Sequence, residues 1–435
     1  MSESRNEKRA LALAAGSSLL QNSESTLLSV SLGYINNSTV SQNIQELESE
    51  RKHSCKRDPH EIASSLLVTT YRNNFRNSKE KRFDLLYGIK RLNGMSSYAI
   101  RNCMSFMPKA GAKQEIELVK KHDDQLAMRN LIYCSSIWLC PVCSSRIASE
   151  RRKELAQAVE KSGAYTCLIT YTLSHSIHDR LEDVLGALRK AVNSTKSGRW
   201  HEAFLEEHGI IASVSSLEFT HGEHGWHPHI HQLVFFREKP DPELIHKQLS
   251  ERFSRFVEKN GHYSSSFHGI DVRCSRKDVS GYISKWNVID ELSNVQAKRG
   301  RKESLNVWQL AQLAVNGDRE CEALWLEYAK ASYRKKALQW SRGARKALGI
   351  DAELTDEELI AKEEADLLAQ EVEHVCSFTP EEYFFLQDHG LIGEVYYQAR
   401  IGGAQAVNEI FIRIRGKPLQ EFLESSHYFI LEEVA

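Results

Sequence analysis

No apolar run in this chain approaches the ~18–20 residues that span a bilayer, so a membrane-embedded protein is not expected. The short Ala/Leu patch at Arg9–Leu20 comes nearest to a leader. Glu3 and Glu7 spoil the positive flank of a secretory signal, and a cytoplasmic, bacterial protein is expected. Cysteine is scarce as well: nine in 435 residues, an odd number and too few for a disulfide-stapled fold, so reduced thiols are expected. There is no internal repeat, and net charge is almost absent, at −1.

That small net charge conceals a division. Residues 51–350 hold 49 Lys and Arg against 33 Asp and Glu, whereas 351–435 hold 5 against 19. A basic body beside an acidic tail points to a polyanionic partner for the body, although an ordinary solvated surface has the same composition. With 41% hydrophobic residues, the chain has enough apolar material for a sizeable core shared by two or three domains.

Residues 1–58 are polar and lack periodicity, and are expected to be disordered or loosely helical. Residues 59–150 form a basic, Cys-rich module. A helix is expected over Ser149–Ser162, with Gly163 at its end, followed by a strand over Tyr165–Leu173 and a helix near 179–193. The strand Ile210–Phe219 turns through Gly222 and Gly225 into a second strand at 229–236. A helix at 242–259, a strand at 269–274 and a helix carrying Tyr282 complete a domain over 151–295. This order describes an α+β fold with an antiparallel sheet flanked by helices. A basic helical region follows at 296–350, then an acidic region at 351–435 that opens with a helix over 354–376.

The chemistry concentrates in Trp226-His-Pro-His-Ile-His-Gln-Leu-Val-Phe-Phe236. On a strand, His229 and His231 share one face and bring two imidazoles to one point, as a divalent ion requires. A lone strand histidine is more often satisfied by backbone carbonyls; a His-Pro-His-Ile-His run on an apolar strand favours metal. Glu218, on the preceding strand, is favoured as the carboxylate ligand, with His221, Glu223 and His227 competing. Such a set leaves positions open and suits Mg²⁺ or Mn²⁺. Asp278, Tyr282 and Lys285 fall on one helical face, where a nearby cation or metal would stabilise a phenolate; taken alone, that spacing is commonplace. Cys103, Cys134, Cys140 and Cys143 can form a tetrahedral thiolate zinc site, with His122 as a substitute ligand. Cys55, Cys167, Cys274, Cys321 and Cys376 show no such pattern and are expected to be ordinary buried thiols. Two basic clusters, Lys298–Lys302 and Arg342–Lys346, could neutralise phosphates, and Trp226 and Trp286 could stack on unpaired bases; solvated loops and core aromatics are the ordinary alternatives.

In combination these motifs resemble the rolling-circle replication initiators (Rep proteins) of small bacterial plasmids, members of the HUH endonuclease superfamily. The ordered set is Leu168-Ile-Thr-Tyr-Thr-Leu173, His227-Pro-His-Ile-His231 and Tyr282-Ile-Ser-Lys285, with Cys140-Pro-Val-Cys143 before it and Ala337-Leu-Gln-Trp-Ser-Arg-Gly343 after it. The resemblance covers about 100–343. It implies an HUH-type catalytic domain in which His229 and His231 bind the metal that polarises the scissile phosphate. It also implies that Tyr282 attacks to form a 5′-phosphotyrosyl bond, freeing a 3′-OH primer, and that Lys285 neutralises the phosphate. The family places a Glu four residues before the tyrosine to activate water; here Asp278, one methylene shorter, stands there. The implied partners are single-stranded or extruded origin DNA and the host polymerase and helicase. Two rival readings share the residues: a transposase or relaxase with the same metal site, and a zinc-containing DNA-binding regulator without catalysis. Relaxases usually carry the tyrosine near the N-terminus, which Tyr282 does not fit.

Overall fold

The computed structural model describes residues 80–106, 115–259, 269–274 and 304–416. The polar segment 1–58, Cys55, Asp278, Tyr282, Lys285, Trp286 and Lys298–Lys302 therefore lie outside the described residues. In chain order the described elements begin with α1 (Lys81–Arg91), β1 (Ser105–Phe106), β2 (Ile116–Lys120), β3 (Leu126–Met128), β4 (Leu131–Ile132) and α2 (Pro141–Ser162). Next come β5 (Tyr165–Tyr171), α3 (Leu181–Thr195), α4 (Gly198–Glu207), β6 (Ile210–Gly222), β7 (Gly225–Phe236), α5 (Pro242–Lys259) and β8 (Ile270–Cys274). The chain continues with β9 (Leu305–Asn306), α6 (Val307–Val315), α7 (Arg319–Ser332), β10 (Leu338–Trp340) and α8 (Ala344–Ala347). It closes with α9 (Asp356–Ala369), β11 (Glu373–Phe378), α10 (Pro380–Asp388) and α11 (Ile392–Arg415).

The fold mixes helices with antiparallel sheets. The main sheet is six-stranded, ordered β10-β6-β7-β5-β8, with β9 also on β6. Along β7 the burial alternates: Trp226, Ile230, Gln232 and Val234 are buried, while His227, His229 and His231 are half-buried. That period of two puts the histidines on the face opposite the helix-packed one. The helix-packed face receives α3 and α5, for example through Tyr171 against Phe253, ring centroids 5.5 Å apart. Trp226 is 2% exposed and its Nε1 donates to Glu327 at 2.9 Å, so it is a core aromatic rather than a platform for bases.

Several boundaries differ from the pattern reading for local reasons. Helix α2 starts at Pro141, not Ser149: Pro at the first turn needs no N–H partner, and the Cys140 Sγ accepts from the Cys143 N–H. Strand β7 begins at Gly225 rather than 229, running through Pro228. Strand β5 ends opposite Ile230, so Pro228 has no ladder neighbour on the β5 side, where a missing N–H costs no ladder hydrogen bond. The reading of Cys167 and Cys274 as ordinary thiols is corrected: they face each other across β5 and β8 and form a disulfide. A sequence separation of 107 gave no hint of that pairing, which antiparallel register alone creates. The helix expected over 354–376 is shorter, Asp356–Ala369, because the chain turns into β11. Strand β11 then pairs with β2 in a second sheet ordered β11-β2-β3.

Candidate metal centre and thiol cluster

Glu218 and His229 are direct partners in the β6–β7 register, and Ser216 opposes His231. One ligand atom each from Glu218, His229 and His231 lie within 4.8 Å of one another. Of the competing third ligands, His221 lies on the other face of β6, edge-on to Trp226, and Glu223 is an exposed turn residue. Both are thereby kept from the group. His227 shares the face but spends both nitrogens elsewhere. His175 Nδ1 donates to the His224 carbonyl at 3.0 Å, which leaves His175 Nε2 as acceptor for the His227 Nδ1–H. His227 Nε2 then accepts from Thr172 Oγ1 at 3.4 Å.

Burial keeps His229 and His227 neutral, and the neutral imidazole is the form that binds metal. Burial, then the neighbouring His227 ring, pushes His229 down to about 3. Burial, then His175, pushes His227 down to about 4. His229 Nδ1 is buried with no hydrogen-bond partner, a cost that a bound ligand would remove. His231 is oriented from both sides: Nδ1 meets Thr170 Oγ1 at 3.0 Å and Nε2 meets Glu218 Oε2 at 2.5 Å. Two imidazoles and a carboxylate, half-buried on one face of the sheet, are a donor set that can bind a divalent metal. Thr170 and Thr172 were not foreseen as partners of this site, although the alternation of β5, carried one residue past its end at Tyr171, puts both on the histidine face.

The second group lies between the Cys-rich segment and the start of α2. Cys103 Sγ is 3.4 Å from Cys140 Sγ and 3.6 Å from Cys143 Sγ, and Cys134 Sγ is 3.8 Å from Cys143 Sγ. Four sulfurs around a zinc at ~2.3 Å would be about 3.8 Å apart, so the cluster has nearly the size of a tetrahedral thiolate site. All four sulfurs lie within 4.8 Å of one another, and three of the cysteines are fully buried. His122 is exposed in the β2–β3 turn and takes no part. Neither group shares a ligand with the other. The roles expected of Tyr282, Lys285 and Asp278 cannot be placed against either, since those residues lie outside the described segments.

Fold and sites together define an α+β protein with two groups able to hold metal: a carboxylate–imidazole set on the main sheet and a four-cysteine cluster, three of whose members are buried. In sequence, the chain is 26% identical over 312 residues to "Protein rep" of Streptomyces lividans, covering 54% of this chain and 68% of that protein. It is also 28% identical over 152 residues to a "Neomycin resistance protein" of Streptomyces cyanogenus, covering 28% of this chain and 35% of that one. No family model and no solved structure matches. The first relative agrees with the family indicated by the motifs, and the comparison supports a relationship with Rep-type replication proteins. Among the described residues no helix is long and apolar enough to cross a membrane.

Proposed function

We propose that the chain is a plasmid replication initiator of Rep type that nicks and rejoins one DNA strand at an origin, using an HUH-type sheet as its catalytic platform. The observation that carries this reading is the meeting of Glu218, His229 and His231 on one face of one antiparallel hairpin. Those three residues would hold the catalytic ion, Mg²⁺ or Mn²⁺, and the four cysteines a structural Zn²⁺. The bound ion would supply Lewis-acid polarisation of the scissile phosphate. Thr170 and Glu218 orient His231, and burial keeps His229 neutral.

In this reading the Tyr282 phenolate attacks phosphorus. The bond from phosphorus to the 3′-oxygen breaks, that oxygen takes up a proton, and a 5′-phosphotyrosyl bond remains. Lys285 neutralises the phosphate, and Asp278 takes the proton from the water that ends the cycle. The substrate is single-stranded or extruded origin DNA, because an in-line attack needs an accessible phosphate. Host polymerase and helicase would act on the freed 3′-OH.

The test is a labelled single-stranded origin oligonucleotide incubated with Mn²⁺. The intact protein is expected to give a denaturation-resistant adduct that Tyr282→Phe and His229→Ala both lose. An undiminished adduct with Tyr282→Phe would sink the nucleophile, and cutting by His229→Ala would sink the metal site. Zinc retained by His229→Ala but lost by Cys140→Ser would locate the structural ion. Zinc held at the histidines with no cutting in either divalent ion would favour a non-catalytic regulator.

A further inference from the structure

The 134–139 loop, which gives Cys134 to the four-cysteine cluster, forms one wall of a groove that none of the foregoing chemistry uses. The groove, about 520 Å³, lies between the 134–139 loop and the 333–338 loop that follows α7. Its lip is Tyr333, 46% exposed, with the Tyr98 ring edge-on at 5.3 Å and the Arg334 guanidinium 5.1 Å from the Tyr333 centroid. Lys335 and Lys336 follow directly. Among the described residues, no carboxylate lies within ion-pair distance of Arg334 or Lys335, whereas Lys336 meets Glu353 at 3.5 Å. On the same wall as Glu353, Asp356 is paired with Arg151 at 3.0 Å. Glu357, exposed and also lining the groove, likewise has no cation within ion-pair distance among the described residues, so the unpaired charges are two cations, Arg334 and Lys335, against one carboxylate.

The groove is also preformed. Trp138 Nε1 donates to the Lys335 carbonyl at 2.6 Å, and the Tyr328 hydroxyl donates to the Trp138 carbonyl at 3.1 Å. The first bond ties the two loops together, and the second ties the 134–139 loop to α7. On either side stands a non-glycine residue in the left-handed region, Arg334 at φ 57° and Ser135 at φ 52°. Such a conformation costs roughly 1 kcal/mol per residue and persists where surrounding structure enforces it, often beside binding sites. Its consequence here is to turn the Arg334 side chain out beside the Tyr333 ring.

An exposed tyrosine ring, met edge-on by a half-buried one and flanked by two cations without ion-pair partners, is an arrangement that holds unpaired bases by stacking and their phosphates by charge. We propose that this groove binds single-stranded DNA, a base stacking on Tyr333 while Arg334 and Lys335 neutralise flanking phosphates. The proposal rests on the DNA-processing reading but concerns residues outside the candidate metal centre.

The experiment is equilibrium binding of a fluorescein-labelled oligo-dT strand to the full-length Tyr282→Phe protein, followed by anisotropy over a salt series. Adding Tyr333→Ala is expected to weaken binding about tenfold, and Tyr333→Phe to restore it. Arg334→Gly keeps the backbone conformation and is expected to reduce the salt slope by about one. Wild-type affinity in both Tyr333→Ala and the Arg334→Gly/Lys335→Ala pair overturns the groove, as does an equal effect on a blunt duplex, where no base is free to stack. The adduct assay separates the two readings: groove variants that bind normally while wild type forms the adduct refute only the groove. Absence of an adduct with the groove effects intact refutes only the nicking reading. No strand binding by the parent protein overturns both.

Discussion

At the scale of single residues, the candidate centre depends on neighbours as much as on ligands. Thr170 is not a ligand, yet its hydroxyl fixes one nitrogen of His231 while the other faces Glu218. Partners of this kind set the tautomer and aim of a ligating imidazole, and losing one typically weakens metal binding 10–100-fold. Thr170→Val keeps shape and removes the hydroxyl. It is expected to weaken Mn²⁺ binding at least tenfold by calorimetry while leaving the unfolding midpoint of the metal-free protein nearly unchanged. Unaltered affinity would show that Glu218 alone orients His231. The grouping of His229 and His231 was legible in the sequence because strand alternation puts them on one face whatever the tertiary fold. The threonine was not, because its role depends on which strand lies beside β7, and register is a property of the assembled sheet. The Cys167–Cys274 pairing was hidden for the same reason.

At the scale of elements, the β6–β7 hairpin is held against the 175–177 segment by its own tip. Gly225 has φ +90°, and a Cβ there would sit 2.9 Å from both the Ile177 Cα and the Ser176 carbonyl oxygen. Backbone atoms cannot give way as a flexible side chain does. Gly225→Ala should therefore lift the tip from that segment, break the contacts of His175 with His224 and His227, and cost about 2 kcal/mol. A chemical-denaturation midpoint equal to wild type would contradict this. A second element-level device joins α1 and α11. Glu394 is fully buried, accepts from Gln398 at 2.6 Å, and leaves Oε2 without a partner. Burial, with the Asp84 charge adding to it, pushes its carboxyl from the ordinary 4.5 up to about 7. The folded chain thus binds the Glu394 proton more tightly than the unfolded chain does. This contribution is fully present below about pH 4.5 and is lost as pH rises through about 7. A shift of that size corresponds to about 3 kcal/mol. Glu394→Gln should match wild type at pH 4.5 and exceed it by a few kcal/mol at pH 8 in urea unfolding, whereas a constant difference across that range would refute the assignment.

At the scale of the whole molecule, the division between basic body and acidic tail is partly resolved within the chain. Arg146 on α2 pairs with Glu363 at 2.7 Å and with Glu364, both on α9; Lys121 reaches Glu363 at 3.5 Å, and Arg151 reaches Asp356. A sequence count sees charge blocks but not their docking, so the polyanion inferred for the body competes with the chain's own acidic helix. The tail also supplies structure. Strand β11 covers the edge of β2, Phe378, Tyr383 and Phe411 are fully buried, and the Tyr383 hydroxyl donates to the Met104 carbonyl at 2.8 Å beside the cysteine cluster. Ending the chain after Ile350 would bare the β2 edge, leave Arg146 without its carboxylates and open the core around Met104. An uncovered apolar edge strand invites pairing with other chains, and a guanidinium stripped of its partners costs several kcal/mol. The truncated protein is therefore expected to aggregate on expression or to unfold at least 10 °C below the full chain, with weaker zinc retention because Cys103 adjoins Met104. Size-exclusion chromatography, thermal unfolding and metal analysis would report this together. A monomeric truncation with the full chain's melting temperature and zinc content would instead make residues 351–435 a detachable appendage, and the ion pairs of Arg146 a surface detail.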